Sequence, residues 1–365
     1  MRTKRIIIPI ILILCVMLTS GCLVQDNTAP VVSQIPVVEA TPTPVPTANT
    51  GYPETIIQWM IPFGAGTNID DWNRAIGNAF VEQLDWRVMY TNISGGLSGS
   101  TGTYKVYHSR HDGYMYVGMS ERSLTIPIYV QGELTSKNWI YFIAGGTPMV
   151  LCSSRDVGLE TLNEFILAAR NGEDKLVIAS WGSGLGAALP YYFVTEGGIN
   201  FTLKSYDTED QALAAALNAE VDGIIAPAYI VAGAVTEGRL IPLAVMDDKD
   251  LTNHSFYAKT IPSIRTEVPE LPAEGLEALK ELRGFAIPAD TSPDIVLAIQ
   301  DGFLKLKDNE TFNKYINSVY GTMYLYSNDE ARERVELSEQ YLCWILSDMS
   351  KGGYTPEYVG IERPY

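Results

Sequence analysis

The sequence predicts an α/β protein whose folded part holds two domains, and three observations predict it. From residue 55 onward, short apolar runs alternate with amphipathic stretches, the pattern of βαβ units whose mostly parallel strands are covered on both faces. About 310 residues follow the start of that pattern near Tyr52, more than one core usually serves. Glycine-rich stretches occur twice where a strand gives way to a helix, at Gly64–Asp70 and at Ser180–Gly186.

Before the fold begins, Arg2, Lys4 and Arg5 precede an apolar run from Ile6 to Leu18, and "LTSGC" ends at Cys22. This is the layout of an export signal, with an apolar run too short for a comfortable membrane span. "LTSGC" also resembles a bacterial lipobox. That resemblance implies a signal peptide at 1–21, cleavage before Cys22 and lipidation of its thiol, which would anchor the chain to a membrane facing the periplasm or the cell exterior. Residues 22–52, with "ATPTPVPTANTG", have the Pro/Thr-rich composition of an extended tether.

The elements then follow in order. "IIQWMIPF" reads as a strand, and 70–84 as a helix with Trp72, Ile76, Phe80 and Leu84 on one face. "RVMYTN" is a strand, "TGTYKVYHSR" a helix and "YMYVGMS" a strand. An apolar stretch, "WIYFIAGGTPMVLCSS", comes next. "TLNEFILAAR" is a helix, "DKLVIAS" a strand and "GLGAALPYYFVTEG" a helix. "FTLKSYD", "EDQALAAALNAE" and "VDGIIAPA" read as strand, helix and strand. A helix near 229–236, the strand "LIPLAVM" and a Pro-rich connection follow. Two stretches of helical period, "SPDIVLAIQDGFLKLKD" and "NDEARERVELSEQYLCWILSDMSKG", close the chain.

Forty-three acidic residues against 26 basic give a formal charge of −17. Such a surface repels nucleic acid, and no basic run offsets it. Cys152 and Cys343 are the cysteines outside the leader and lipobox; one disulfide and two buried thiols are both open.

Both glycine stretches have the chemistry of an anion cradle. A helix N-terminus presents unpaired N–H groups and a partial positive charge, and glycine lets a ligand approach the backbone. Neither stretch contains Lys or Arg, so an anion would be held by backbone dipoles and hydroxyls. Gly182, Gly184 and Ala187 also fit G-x-G-x-x-A, with Asp207 ending the next strand, which leaves a dinucleotide reading open. His108, His111 and His254 form no H-E-x-x-H, no C-x-x-C occurs, and neither Ser98 nor Ser183 sits in G-x-S-x-G. No catalytic set assembles, so neither an enzyme nor a cofactor nor a metal is expected.

The order Pro62-Phe63-x-Ala65-Gly66-x-x-x-Asp70-x-x-x-Arg74 resembles the opening motif of the substrate-binding proteins of tripartite tricarboxylate transporters, the TctC or Bug family. Asn92 with the stretch 95–102, "HDGYMY", "IASWGSGLGAA", "LKSYDTEDQALAAALNAEVDG", "EGRLIPLAV", "IPSIRTE" and "LRGFAIPADTSP" continue it in family order, from about 53 to 345. The resemblance implies a two-lobed Venus-flytrap fold of the type II periplasmic-binding-protein kind. Lobe 1 would be 54–150 plus 284–365, lobe 2 would be 151–283, and hinges would lie near 148–153 and 282–287. It further implies a monomer that takes a small organic carboxylate or amino acid and delivers it to membrane subunits. The ligand-binding residues would be Phe63, Ala65, Gly66, Thr67, Asn68, Asp70, Ser180, Trp181, Gly182, Ser183, Gly184, Tyr206 and Asp207. A membrane-receptor sensor or adaptor, or a nucleotide-dependent enzyme using 182–187, are the alternatives.

Three departures from the family pattern bear on the substrate. Thr67 stands where the family has a second glycine, Asp207-Thr208 where it tends to have Lys-Gly, and Trp181 adds a ring to the second loop. An acid at 207 would repel a second carboxylate or pair with an amine, so the expectation moves from a tricarboxylate to a monocarboxylate, a dicarboxylate or an amino acid.

Overall fold

The computed structural model describes residues 51–130, 134–171, 175–252, 254–350 and 352–364. The segment expected to be an export signal (1–21), Cys22 and nearly all of the expected tether lie outside the described residues.

The strands, in chain order, are β1 (Ile57–Ile61), β2 (Val88–Asn92), β3 (Met115–Ser120), β4 (Trp139–Gly146), β5 (Met149–Ser154), β6 (Val177–Trp181), β7 (Thr202–Tyr206), β8 (Gly223–Pro227), β9 (Leu240–Val245), β10 (Arg283–Pro288) and β11 (Thr322–Ser327). They form a six-stranded sheet, β11-β4-β10-β3-β1-β2, and a five-stranded sheet, β7-β6-β8-β5-β9. In the first, β1, β2 and β3 are mutually parallel, β10 runs antiparallel between β3 and β4, and β11 is antiparallel to β4. In the second, β6, β7 and β8 are parallel, and β5 runs antiparallel between β8 and β9. Most strands of each sheet therefore share one direction, and each sheet holds one internal antiparallel strand that the chain enters on crossing from the other sheet. Helices cover the sheets, as the alternating pattern requires.

The crossings are where the sequence pattern is least informative. The apolar stretch 139–154 is two strands in different sheets, separated only by Thr147 and Pro148. The chain returns through 279–282 into β10. Neither β10 nor β11 was marked by the hydrophobic pattern, nor was the helix Glu310–Ser318. β10 is buried along its whole length, so it shows no alternation to read. β11 is a half-buried edge strand with a register break between Met323 and Tyr326.

An aromatic cluster fills the core of the first sheet. Phe285 of β10 stacks between Tyr116 and Phe142 with ring centroids 4.8 Å from each, and Trp59 lies 4.7 Å from it. The second sheet packs Phe165, Leu189, Phe193 and Ile225 beneath its helices. The C-terminal helix Asn328–Asp348 serves both cores: Ala331 and Val335 join residues of the first sheet, and Tyr341, Leu342 and Ile345 join those of the second. Cys152 and Cys343 are free, buried thiols. No helix among the described residues is long and apolar enough to cross a membrane.

Candidate functional site

The first glycine loop joins β1 to the helix Asn68–Leu84. Thr67 is the N-cap: its hydroxyl donates to the Gly64 carbonyl (2.8 Å) and accepts from the Asp70 amide (3.4 Å). Asp70, expected among the ligand-binding residues, is a buried brace of the loop. Its carboxylate accepts from the Gly66 amide, the Arg74 Nε and the Asn92 Nδ2, each at 2.9 Å. Burial alone would raise its pKa, but Arg74, Asn92 and the Gly66 amide together hold it below the ordinary carboxylate value. The Gly66 amide is therefore engaged, and the first-turn amides of Asn68 and Ile69 are the ones a helix leaves without intrahelical partners.

The second loop joins β6 to the helix Leu185–Glu196. Gly182 has φ +62° with nothing near the place of a Cβ, so backbone conformation demands the glycine there. Gly186 is needed for a different reason. A Cβ on it would lie 2.4 Å from the Trp181 ring, so glycine is what lets the indole lie flat against the helix start.

The loops share one cavity of about 350 Å³. Phe63, Thr67 and Asn68 line it from the first loop; Trp181, Gly182, Ser183 and Gly184 line it from the second; Asp207 lines it from the turn after β7. Ala65, Gly66, Asp70, Ser180 and Tyr206 do not line it. Ile69, Leu185 and Gly186 do, which puts the first turns of both helices on the wall.

The sequence reading missed the charged residues of this cavity: Glu121, Arg122, Glu209, Glu281 and Arg283, together with Tyr229. They are distant in sequence from the glycines, and no local motif carries them. One signal was available, since Arg283 opens a strand that is otherwise apolar, and a charge in such a place calls for a buried partner. Arg283 has two. Its guanidinium pairs with Glu121 at 2.5 Å and with Glu281, and its Nε donates to Asn68 Oδ1 at 3.0 Å. Glu281 in turn accepts from the Thr147 amide at 2.7 Å. This trio thus ties both sheet-crossing segments to the first residue of the first-loop helix.

Burial pushes the Glu281 carboxyl up to about 7, against the pull of Arg283. Burial also opposes the charge on Arg283, but Glu121 and Glu281 outweigh it and raise its pKa. Arg122 is exposed beside Gly184 and makes no ion pair among the described residues. Burial, with Asp210 adding to it, raises the pKa of Glu209.

A family model described as "Tripartite tricarboxylate transporter family receptor" matches residues 73–336. No curated protein matches the chain. Among solved structures, the chain is similar to a TctC solute binding protein from Polaromonas, at 19% identity and TM-score 0.68, over 81% of this chain and 99% of that one. It is similar to an R. palustris protein solved with adipate, at 18% identity and TM-score 0.63, over 82% and 99%. It is also similar to MatC from Rhodopseudomonas palustris with bound malate, at 16% identity and TM-score 0.56, over 81% and 98%. At these identities the likeness is one of fold.

Proposed function

Since the chain belongs to the tripartite tricarboxylate transporter receptor family, we propose that this solute-binding protein captures a small carboxylate-bearing metabolite between its two glycine loops and delivers it to membrane subunits of a carrier. The observation that carries the reading is that both loops, more than 110 residues apart in sequence, border one cavity of about 350 Å³. The adipate and malate of two related structures are carboxylates of a size such a cavity would admit.

The physical account is short. A carboxylate presents two oxygens that accept several N–H bonds, and the helices beginning at Asn68 and Leu185 each point unpaired amides and a partial positive charge at the cavity. Arg122 adds a full charge beside the second loop. The boundaries of the expected lobe 1 (54–150 plus 284–365) and lobe 2 (151–283), and the expected hinges near 148–153 and 282–287, move to the crossings at 147–148 and 279–282, so that β5 and β10 each stay whole in one lobe. The lobes would close about those crossings, ligand favouring the closed population because only there do both loops touch it. The helix Asn328–Asp348, seated in both cores, would limit that motion. Export, anchoring through lipid on Cys22 and a monomeric state complete the proposal.

Calorimetry and thermal unfolding with a panel of mono-, di- and tricarboxylic acids test it. A bound acid at about 100 times its Kd stabilises by roughly 2.7 kcal/mol. Binding of nucleotides, with no response to any carboxylate, would overturn the proposal. For the anchor, a Cys22→Ser variant that still fractionates with membranes would refute lipid attachment.

A further inference from the structure

We propose that the ligand is a zwitterion, with its carboxylate held at the Arg122 and glycine-loop side and an ammonium group held by Asp207 and Glu209. This rests on the carboxylate-binding reading above and narrows it. The site is the cavity itself; the acids decide what charge its second end accepts.

The charges on the cavity wall sort into three groups. Arg283, Glu121 and Glu281 satisfy one another: all three are at least 94% buried, and the guanidinium bonds both carboxylates. With Glu281 titrating near neutrality, this trio offers a ligand no net positive charge. Arg122 stands apart beside Gly184, at the second loop, and among the described residues of the wall it is the cation without an ion pair. Asp207 and Glu209 flank the N-cap Thr208 of the helix Glu209–Leu217, and neither carboxylate has an ion-pair partner among the described residues.

A second carboxylate on the ligand would need a second cation. Among the described residues the wall offers none: the remaining guanidinium, Arg283, is already matched by two acids, and the other charged groups of the wall are Asp207 and Glu209. Like charges a few ångströms apart in a half-buried site repel, whereas an ammonium there gains two partners and its three donors face acceptors. Tyr229 lines the same cavity; burial chiefly raises its pKa, with Glu281, Glu209 and Glu121 adding to it and Arg283 opposing. The Thr208 hydroxyl is engaged in capping, accepting from the Gln211 amide at 3.3 Å, which leaves the flanking carboxylates as the groups that meet the ligand.

The test is calorimetry on the purified mature protein with compounds matched in length and differing in charge: butyrate, succinate, glutarate, 4-aminobutyrate, 5-aminopentanoate, a set of α-amino acids, and 1,4-diaminobutane. The expected result is that one or more of the ammonium carboxylates binds at least tenfold more tightly than the dicarboxylate of equal length. Asp207→Asn with Glu209→Gln should lower that binding 10- to 100-fold and raise dicarboxylate binding. Circular dichroism checks that the variant folds, since both positions are outside the core. Dicarboxylates that bind the unaltered protein as well as or better than the ammonium carboxylates would overturn the zwitterion proposal and leave the carboxylate reading standing. Binding of 1,4-diaminobutane with none of the carboxylates would overturn both.

Discussion

Replacing Arg283 with Met tests how the crossings are held together. The side chain is 5% exposed, Glu281 2% and Glu121 6%. Met fills a similar volume but leaves two buried carboxylates facing each other without their cation and takes a bond from Asn68. Breaking a buried pair in this way costs about 3–5 kcal/mol, and that is the expected loss at pH 8. The pH dependence is the sharper part. A carboxyl whose folded pKa is raised above its unfolded value carries no penalty below about pH 4.5 and accumulates one as pH rises to the folded pKa, at about 1.4 kcal/mol per unit. Glu281 already sits at about 7 with Arg283 present, and removing the cation, whose pull opposes burial there, raises it further. At pH 5 Glu281 is protonated in the folded variant, and the deficit should shrink to about 1–2 kcal/mol. Urea denaturation of both proteins at pH 5 and pH 8 measures this. A deficit that is equal at the two pH values, or below about 1 kcal/mol at pH 8, would refute the argument that the guanidinium neutralises the pair. The neutral combination Glu121→Gln, Arg283→Met, Glu281→Gln should recover most of the loss, because no buried charge then lacks a partner.

Three further outcomes are expected. Glu339, buried and accepting from the Ser136 amide at 2.8 Å and hydroxyl at 2.6 Å, has its carboxyl raised to about 7 by burial; its stabilising share is complete below about pH 4.5 and lost by about pH 7, so Glu339→Gln should remove roughly 3 kcal/mol of pH-dependent stability over that window in denaturation curves. Thr67→Ala should cost about 1 kcal/mol of stability through the lost cap, yet change ligand affinity less than fivefold in calorimetry, since the hydroxyl is spent inside the loop; a larger affinity loss would mean that it reaches the ligand. Gly186→Ala should destabilise by about 1–3 kcal/mol through overpacking against Trp181, with indole fluorescence reporting the displaced ring.

Thr67 shows how far a sequence reading goes. It is one of the three departures from the family pattern that bear on the substrate, because it stands where the family has a second glycine. In the structure its extended backbone (φ −81°, ψ 156°) needs no glycine, and its hydroxyl closes a helix N-terminus. Asp207, singled out for its charge, does face the cavity. A charge in an exposed turn after a strand stays available whatever the neighbours are, whereas a hydroxyl is taken by whichever backbone group lies within three residues.

The features legible along the chain are local: alternation that marks strands and helices, glycines at two strand-to-helix turns, and a series of motifs in family order. These depend on neighbours a few residues away, which the chain order displays. Most of the charge of the site, by contrast, is set by folding. Arg122, Glu121, Glu209, Glu281 and Arg283 come from segments up to 162 residues apart, and they border one cavity because the chain crosses between the two sheets just before β5 and just before β10. Electrostatic interaction depends on distance through space and on burial, and neither can be read from position along a chain.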